Sequence, residues 1–453
     1  MKKALSLLLI LTSLLCTACT EDAVSTTTAA TTEAPVTEPP TLSDQIDALA
    51  GKLTDEAAIK EARAMVWEEY AARIGDSRKS EIRKNKTTKI KIGGVTMKVM
   101  TRVTGRAPKD GYPLFLVYHG GGYNPDGQIN ESQWSGMAER YDDVPGIYCS
   151  IRSVSDNESS GQIFSTDISW KFYDRIIENC ILYMNANPNQ VYIVGYSAGG
   201  NGVYQIAPRI TDRLASATMT AGHPEGIDLT NLYNLPFYLQ VGELDTAYSR
   251  NTITVEYEQK LDALAKQYGG GYYHKCFVHY NKEHGFVGDN ASGQTVIADN
   301  AAWLQAQKSG TAYTGSTVKV ETHAAKLMTT HTRDPLPQRV IWSVGTNKTA
   351  NQRRKINSFY WLSTSASNGI IDASYDKATN TITIKECSVR RANVTVYLNE
   401  EMVDLFSTVK IVMPDGSVKE FTPEISLDLL RETTEERGDP SYQFCASYTF
   451  KLS

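Results

Sequence analysis

A serine lies between glycines at the end of an apolar run, in the segment VYIVGYSAGGNGVY at positions 191–204. The spacing Gly195-x-Ser197-x-Gly199 predicts a turn from a buried strand into a helix, so tight that only glycine fits two residues either side of the serine. Such a turn lifts the hydroxyl out of the sheet and leaves the first helical amides without partners. It therefore offers a nucleophile and an adjacent N–H that can face a developing oxyanion. Alone, a serine here is more often a turn or cap residue.

Two further residues have the chemistry to activate that serine, and each follows its own apolar run. Asp245 comes after PFYLQVG, and His284 lies in NKEHGF after YYHKCFVHY. An imidazole can take the serine proton, and a carboxylate can accept from the imidazole Nδ1–H. Taken singly, the aspartate is better explained as a helix cap and the histidine as a surface residue. The chain order Ser197, Asp245, His284 and the position of each after a strand favour a triad. Glu243 is a rival acid.

The segment HGGG, at positions 119–122, follows the apolar run LFLVY. Its glycines allow the backbone to approach a substrate, so it is a candidate for a second oxyanion N–H, although an ordinary turn is equally compatible. His119 is interpreted as a structural residue that holds this loop. His223 and Glu225, in AGHPEG after the next strand, are compatible with either a loop role or a substrate contact.

The elements that must position these residues alternate between strands and helices. Apolar strands and helices follow one another from YPLFLVYHGGG to residue 307, which predicts a mostly parallel sheet with helices on both faces. Before them, TTKIKIGGVTMKVMTRV predicts a hairpin around Gly93-Gly94. The helix predicted over 167–184 has one core-facing stripe, formed by Ile168, Phe172, Ile176, Cys180 and Met184. Other helices are predicted over 43–53, 54–74, 129–140, 254–268 and 295–307.

The pattern changes after the segment KSGTAYTGST, which is interpreted as a linker. From residue 317 onward, short strands such as QRVIWSV, NTITIKE and VTVYL predict a smaller β-sandwich-like domain. TVKIVMPDGSVKEF predicts a hairpin that turns at Pro414-Asp415-Gly416. The aromatic residues of this region are interpreted as core residues rather than a sugar-binding surface; they are Trp342, Phe359, Tyr360 and Trp361.

Composition narrows the function classes. The chain has 453 residues, of which 41% are hydrophobic and 21% charged, so two globular domains are expected. A net charge of −5 with no basic run argues against a nucleic-acid partner or a polybasic membrane patch. Beyond the leader, the cysteines are odd in number and scattered, so they indicate neither a disulfide framework nor a metal knuckle. A pair between Cys387 and Cys445 stays open.

The first residues, MKKALSLLLILTSLLCTAC, have the layout of a secretory signal whose apolar stretch is too short to span a bilayer. The ending CTAC resembles a bacterial lipoprotein processing site, which would make Cys19 the lipidated first residue of the mature chain. An uncleaved or conventionally cleaved signal is the alternative. The Thr/Pro-rich residues 20–42 are expected to be a disordered tether.

Over residues 86–307 the chain resembles the α/β-hydrolase superfamily. The likeness rests on GYSAGG, AGHP and VGELD, and within the superfamily it is similar to secreted prolyl-oligopeptidase-like and esterase-like serine hydrolases. The resemblance implies that Ser197 is the nucleophile, His284 the general base and then acid, and Asp245 its orienting partner. It also implies an oxyanion hole made of the Ala198 N–H with that of Gly121 or Gly122. No metal and no organic cofactor is implied.

These observations lead to one expected organisation. It comprises a signal peptide and lipobox over 1–19, the tether over 20–42, an α/β-hydrolase domain over 43–309, a linker over 310–316 and a β-rich domain over 317–453. The expected protein is a bacterial cell-surface lipoprotein that hydrolyses carboxylic esters through an acyl-enzyme, with a small-molecule or polysaccharide-linked acyl ester as substrate.

Two other functions stay open. A prolyl-oligopeptidase-like peptidase is the first, although such enzymes commonly carry an N-terminal propeller for which few residues precede the hairpin. A binding protein on an inactive hydrolase scaffold is the second, but the intact set of Ser197, Asp245 and His284 argues against it.

Overall fold

A computed structural model describes residues 40–160, 162–286, 288–345 and 357–452. The signal peptide and lipobox expected over 1–19, with Cys19, and the tether as far as residue 39 lie outside the described residues. Within the described part of the chain, no helix combines the length and the apolar character needed to cross a bilayer.

The helices over 56–74, 169–184 and 250–268 lie close to their predicted positions, whereas those predicted over 43–53 and 129–140 end earlier, at Asp47 and Ser135. In chain order, those of the described residues are α1 (Leu42–Asp47), α2 (Glu56–Ile74), α3 (Gln128–Ser135), α4 (Ser169–Met184), α5 (Ala198–Ile206), α6 (Arg250–Tyr268), α7 (Asn300–Lys308), α8 (Ala324–Met328) and α9 (Leu427–Arg437). Asp55 caps α2 by accepting from the Ala58 N–H. The helix predicted over 295–307 is shorter, because the β-branched residues before Asp299 are in a strand and Asp299 caps α7.

The strands of the described residues form three sheets. They are β1 (Lys86–Ile92), β2 (Val95–Thr104), β3 (Tyr112–Tyr118), β4 (Gly146–Ile151), β5 (Ala186–Tyr196), β6 (Ser216–Thr220), β7 (Phe237–Gly242), β8 (His274–His279), β9 (Gln294–Ile297), β10 (Thr317–Val320), β11 (Arg339–Ser343), β12 (Ser358–Phe359), β13 (Leu362–Thr364), β14 (Ile370–Asp376), β15 (Thr381–Cys387), β16 (Asn393–Leu398), β17 (Val409–Val412), β18 (Val418–Phe421) and β19 (Ala446–Lys451).

The largest sheet has the order β1-β2-β4-β3-β5-β6-β7-β8-β9-β10. The strands from β4 to β8 in this order are parallel, and the predicted hairpin β1–β2 and the strands β9 and β10 extend the sheet with antiparallel pairs. Parallel strands place their carboxyl ends at one edge, and in such sheets that edge is where ligands bind. The predicted α/β-hydrolase fold class, with its mostly parallel sheet, is confirmed.

Both faces of this sheet are covered. Successive residues of a strand point to opposite faces, so Leu114 and Leu116 of β3 share a buried cluster with Ile176 of α4. Phe115 of the same strand lies in a different cluster, which contains Met328 of α8. The near-continuous apolar run of β3 is therefore explained by burial on both sides.

The β-rich domain consists of a five-stranded sheet, β11-β14-β15-β17-β18, and a four-stranded sheet, β12-β13-β16-β19. Side chains of both sheets share one core, so the expected β-sandwich-like architecture is confirmed. The predicted hairpin is formed by β17 and β18. Trp342, Phe359, Tyr360 and Trp361 are each at most 1% exposed, as expected of core residues. Cys387 and Cys445 are both free thiols, so they do not form the disulfide that was left open.

Two domain limits differ from those predicted. β10 pairs with β9 in the large sheet, so the hydrolase domain continues past residue 317 and the β-rich domain begins near β11. Residues 310–316 accordingly connect α7 to β10 within one domain. In addition, α2 does not pack on the hydrolase core, because Ile59, Ala62 and Val66 lie in the core of the β-rich domain.

A buried ionic cluster joins the two domains. Arg437 of α9 lies 2.8 Å from Asp212 of the hydrolase domain, and Arg333 lies 2.9 Å from Asp439. All four side chains are at most 6% exposed. Because an unpaired buried charge is strongly unfavourable, each domain supplies groups that the other needs.

Candidate active site

Ser197 occupies the sharp turn between β5 and α5. Its backbone has φ 57° and ψ −117°, a conformation that non-glycine residues rarely adopt. The turn is held by a hydrogen bond from the Ser197 N–H to the Thr220 carbonyl at 2.9 Å. This strained geometry at a half-exposed hydroxyl is typical of a nucleophile elbow.

The two glycines of the motif are required by their surroundings. A Cβ on Gly195 would lie 2.3 Å from the Gly199 carbonyl oxygen, and a Cβ on Gly199 would lie 2.3 Å from that of Tyr118. The start of α5 thus packs directly on the ends of β5 and β3. That close approach is the physical reason for the G-x-S-x-G spacing.

The structure brings Ser197, His284 and Asp245 together at the carboxyl edge of the sheet. Nε2 of His284 lies 2.9 Å from Oγ of Ser197, and Nδ1 lies 2.7 Å from Oδ2 of Asp245. With its proton on Nδ1, the imidazole donates to the buried carboxylate and accepts from the hydroxyl. The Asp245 side chain is fully buried, whereas 36% of the His284 side chain is exposed. The arrangement has the geometry for a serine activated by a general base.

Asp245 is fixed by its own loop. Its N–H donates to the Gly242 carbonyl at 3.1 Å, and its carbonyl accepts from the Asn251 N–H at 3.0 Å. Its other carboxylate oxygen, Oδ1, lies 3.5 Å from Nη1 of Arg250. The rival acid Glu243 has different partners: Oε2 accepts from the Asn281 N–H at 2.8 Å, and Oε1 from the Trp303 indole at 3.3 Å.

One of the three candidate oxyanion donors is engaged elsewhere. The Gly122 N–H donates to Oδ1 of Asn130 at 2.9 Å, so the expectation that Gly122 contributes to an oxyanion hole is corrected. Ala198 is the first residue of α5, where an N–H has no intrahelical acceptor. Gly121 has φ 111°, and a Cβ there would lie 2.0 Å from Asn130 Oδ1, so this position excludes a side chain. Ala198 and Gly121 are the candidates that remain.

His119 and His223 hold loops around the site. His119 Nδ1 donates to the Gly120 carbonyl, and its Nε2 accepts from the Ser153 N–H at 3.1 Å. Burial lowers the pKa of His119 to about 4, so the ring is neutral at pH 7. These contacts match the structural role expected for His119. His223 accepts the Glu225 N–H on Nδ1 at 3.1 Å, and burial lowers its pKa as well.

The loop that carries His284 is tied to the elbow by residues that the sequence did not single out. The Tyr196 hydroxyl donates to the His284 carbonyl at 2.6 Å. The Arg140 guanidinium lies 4.8 Å from the centre of the Tyr196 ring and 2.6 Å from Asp289, on the same loop as His284. Tyr196 could have been suspected from its place in the motif. Arg140 and Asp289 are 149 positions apart, so no local pattern connects them.

Asn130 is a further residue that sequence reasoning missed. Besides accepting from the Gly122 N–H, its amide donates to the Gly122 carbonyl at 2.8 Å and to Asp156 at 2.7 Å. The side chain is fully buried on α3. It therefore sets the conformation of the glycine segment that faces Ser197. No group of His, Cys, Asp and Glu side chains in the described ranges is arranged to hold a metal ion.

The strand order and the strained serine after β5 are those of an α/β-hydrolase fold. Residues 90–309, slightly less than half of the chain, match the dienelactone hydrolase family. The predicted resemblance to the α/β-hydrolase superfamily is therefore confirmed. No curated protein matches the chain.

Several solved structures are similar to this chain at low identity. A thermostable esterase is 18% identical with a TM-score of 0.36, over 55% of this chain and 63% of that one, so less than two thirds of the esterase is spanned. The BES protein from Bacillus cereus is 14% identical with a TM-score of 0.32, over 46% of this chain and 92% of that one. The poly(3-hydroxybutyrate) depolymerase LpqC from Bordetella parapertussis is 17% identical with a TM-score of 0.35, over 53% of this chain and 92% of that one.

Proposed function

We propose that the protein is a serine hydrolase that cleaves carboxylic esters through an acyl-enzyme on Ser197. The observation that carries this proposal is the continuous chain of contacts from Ser197 Oγ through His284 to Asp245, with distances of 2.9 and 2.7 Å. The strained backbone of Ser197 supports it, because strain at a half-exposed hydroxyl is a feature of nucleophiles rather than of ordinary caps.

The proposed reaction follows from these positions. His284 Nε2 takes the Ser197 proton as Oγ attacks the acyl carbon, and the N–H groups of Ala198 and Gly121 face the resulting oxyanion. His284 then gives the proton to the departing alkoxide, which leaves as the alcohol. Water attacks the acyl-enzyme with His284 as base, and the carboxylic acid leaves while Ser197 regains its proton. Buried Asp245 stabilises the imidazolium in both steps.

One observation favours an ester over a peptide bond, and a second concerns the size of the group that the ester can carry. The family that residues 90–309 match is named for the hydrolysis of a lactone, which is a cyclic ester. The connection between β6 and β7 contains only a single 3-10 turn, Thr230–Asn234, and His284 stays 36% exposed. A cleft open in this way admits an acyl group carried on a large alcohol. We therefore propose a polysaccharide-linked acyl ester as the substrate class.

The N-terminal leader supports a second part of the proposal, which concerns the cellular location of the protein. The apolar run that ends in CTAC favours export and lipid attachment at Cys19, and with it anchoring of the enzyme on a bacterial membrane. Fractionation of the parent chain and Cys19→Ala tests this. The parent chain is expected with the membranes and the variant in the soluble fraction; the same fractionation of both, with the N-terminus of the parent chain found at a residue other than Cys19, would contradict the anchor.

Labelling and a substrate panel test the activity. The purified chain is treated with a fluorophosphonate and then assayed on acetyl, feruloyl and longer acyl esters beside aminoacyl-proline amides. Labelling with turnover of esters supports the proposal. Labelling with turnover of the amides alone would indicate a peptidase. Neither labelling nor turnover would indicate that the scaffold is not catalytic.

A further inference from the structure

Exposed apolar side chains are concentrated around the candidate active site. Nine large hydrophobic side chains of the described residues are substantially exposed, and five of them follow β3, β7 or β8 at the carboxyl edge of the sheet. These five are Tyr123, Ile129, Leu244, Tyr248 and Tyr280. The same connections carry the glycine segment, Asp245 and His284. An exposed apolar rim beside a nucleophile marks a surface that contacts a ligand.

Tyr248 is the most exposed member of this rim, at 78%. It has φ 55° and ψ 23°, and the next residue, Ser249, has φ 55° and ψ 30°. Two successive non-glycine residues in the left-handed region are a strained backbone arrangement. The turn is held by hydrogen bonds from the Ser249 N–H to Thr246 and from the Asn251 N–H to Asp245. The strain is not offset by burying the ring, because the turn directs the ring into solvent.

The ring of Tyr248 is connected to the triad through Arg250. The guanidinium carbon of Arg250 lies 4.8 Å from the ring centre, and its Nη1 lies 3.5 Å from Oδ1 of Asp245. The Arg250 side chain is only 12% exposed, so it fixes the ring from one side and leaves the other face open. The guanidinium charge is compensated by Asp245. The open face thus offers an aromatic surface whose neighbouring cation is paired with the buried carboxylate of Asp245.

We propose that Tyr248, with Tyr123 on the opposite loop, binds sugar rings of a neutral glycan whose ester is cleaved at Ser197. An open aromatic face packs on the C–H face of a pyranose, and this contact needs the ring but not its hydroxyl. A fatty acyl group would instead be expected in an enclosed apolar cavity. The side chains of the rim favour a sugar ring over a fatty acyl group, because the two most exposed of them are tyrosines rather than aliphatic residues. This inference rests on the proposed esterase function and adds the part of the substrate that is recognised.

Paired assays of one variant series test the inference. Partially acetylated xylohexaose and p-nitrophenyl acetate are hydrolysed by the parent chain, Tyr248→Ala, Tyr248→Phe and Phe406→Ala. Phe406 is a matched control, since it is 40% exposed in the β-rich domain. We expect Tyr248→Ala to lower kcat/KM for the hexasaccharide relative to the small ester by about tenfold, mainly through KM, as expected for loss of one aromatic contact. Tyr248→Phe and Phe406→Ala should keep the parent ratio.

The outcomes separate this inference from the proposed function. An unchanged ratio in Tyr248→Ala, with the small ester still cleaved by the parent chain, would overturn the sugar subsite and leave the esterase standing. If the parent chain cleaves neither substrate, the sugar subsite is tested by measuring the binding of unacetylated xylohexaose to the parent chain and to Tyr248→Ala by calorimetry. Weaker binding by Tyr248→Ala would support the subsite, and equal binding would contradict it.

Discussion

Oδ2 of Asp245 lies 2.7 Å from Nδ1 of His284, whereas Glu243, two residues earlier, contacts the backbone of Asn281 and the indole of Trp303. Both acids follow the end of β7. Asp245 is far enough along the turn after Gly242 to reach the imidazole. Glu243 points to the loop that precedes His284 and to α7. The two carboxylates therefore make separable contributions, one to the orientation of the imidazole and one to the packing of its loop.

Asp245→Asn should lower ester turnover by about 10² to 10⁴, because an amide cannot stabilise the imidazolium and favours the wrong tautomer. Glu243→Gln keeps the same shape and can still accept from the Asn281 N–H, so turnover should fall less than about tenfold. Steady-state kinetics of both variants, with circular dichroism to verify folding, provide the measurement. If Glu243→Gln lost most of its turnover while Asp245→Asn stayed active, Glu243 and not Asp245 would be the carboxylate that orients His284.

Gly199→Ala should destabilise the protein by about 3 kcal/mol or more, because its Cβ would lie 2.3 Å from the backbone oxygen of Tyr118, which cannot move away without shifting β3. Gly136→Ala is the matched control. Nothing lies within 4 Å of a Cβ at Gly136, so this variant should unfold at nearly the parent urea concentration. Equal midpoints for both variants would mean that the elbow tolerates a side chain.

Arg437→Met should reduce the free energy of unfolding by about 3 to 5 kcal/mol, since it leaves Asp212 buried without its closest cation. Arg73→Gln removes the partner of Glu435 in an ion pair where both side chains are more than half exposed, and should cost less than about 1 kcal/mol. Urea denaturation of both variants measures the difference. Similar small losses in both would show that the interface between the domains does not depend on this buried pair.

The protein should lose stability as the pH falls from 6.5 to 4. Burial lowers the pKa of both His119 and His279 to about 4, so in that interval the unfolded chain binds protons on these rings and the folded chain does not. Each histidine contributes up to about 1.4 kcal/mol per pH unit within this interval, and nothing above pH 6.5.

His279→Gln isolates one of these contributions, because a glutamine amide can still donate to Oε1 of Gln240, as His279 Nε2 does at 2.9 Å. The free energy of unfolding of the variant should depend less steeply on pH between 6.5 and 4 than that of the parent chain. Subtracting the free energy of unfolding of the variant from that of the parent chain at each pH removes the contribution of the carboxylates, which titrate in both proteins. Parallel pH profiles would refute the linkage.

The parts of the molecule that the sequence predicts well are those fixed by local sterics. The spacing of Gly195 and Gly199 around Ser197 predicted the turn, because the collisions that require glycine occur within the same few residues. The positions of Asp245 and His284 after their strands placed them at the same edge of a parallel sheet. The alternation of strands and helices predicted the fold class for the same reason.

The parts that could not be predicted depend on contacts between distant segments. The amide of Gly122 is taken by Asn130, and nothing in the HGGG segment itself indicates that a side chain of α3 folds back onto it. β10 is largely exposed, so its sequence does not reveal that it pairs with β9 rather than beginning a new domain. The helix predicted over 54–74 was assigned to the hydrolase domain, and only the tertiary structure shows that Ile59, Ala62 and Val66 of α2 pack in the core of the β-rich domain.

The central claim is that Ser197 is the nucleophile. It is tested most directly by treating the parent chain and Ser197→Ala with a fluorophosphonate, locating the adduct by mass spectrometry and measuring ester turnover of both. We expect the adduct on Ser197, no labelling of the variant, and turnover of the variant lower by about 10⁴ or more with unchanged circular dichroism, since the half-exposed hydroxyl supports no core packing. A folded Ser197→Ala chain that hydrolyses the ester at the parent rate, or an adduct on another residue, would contradict the account.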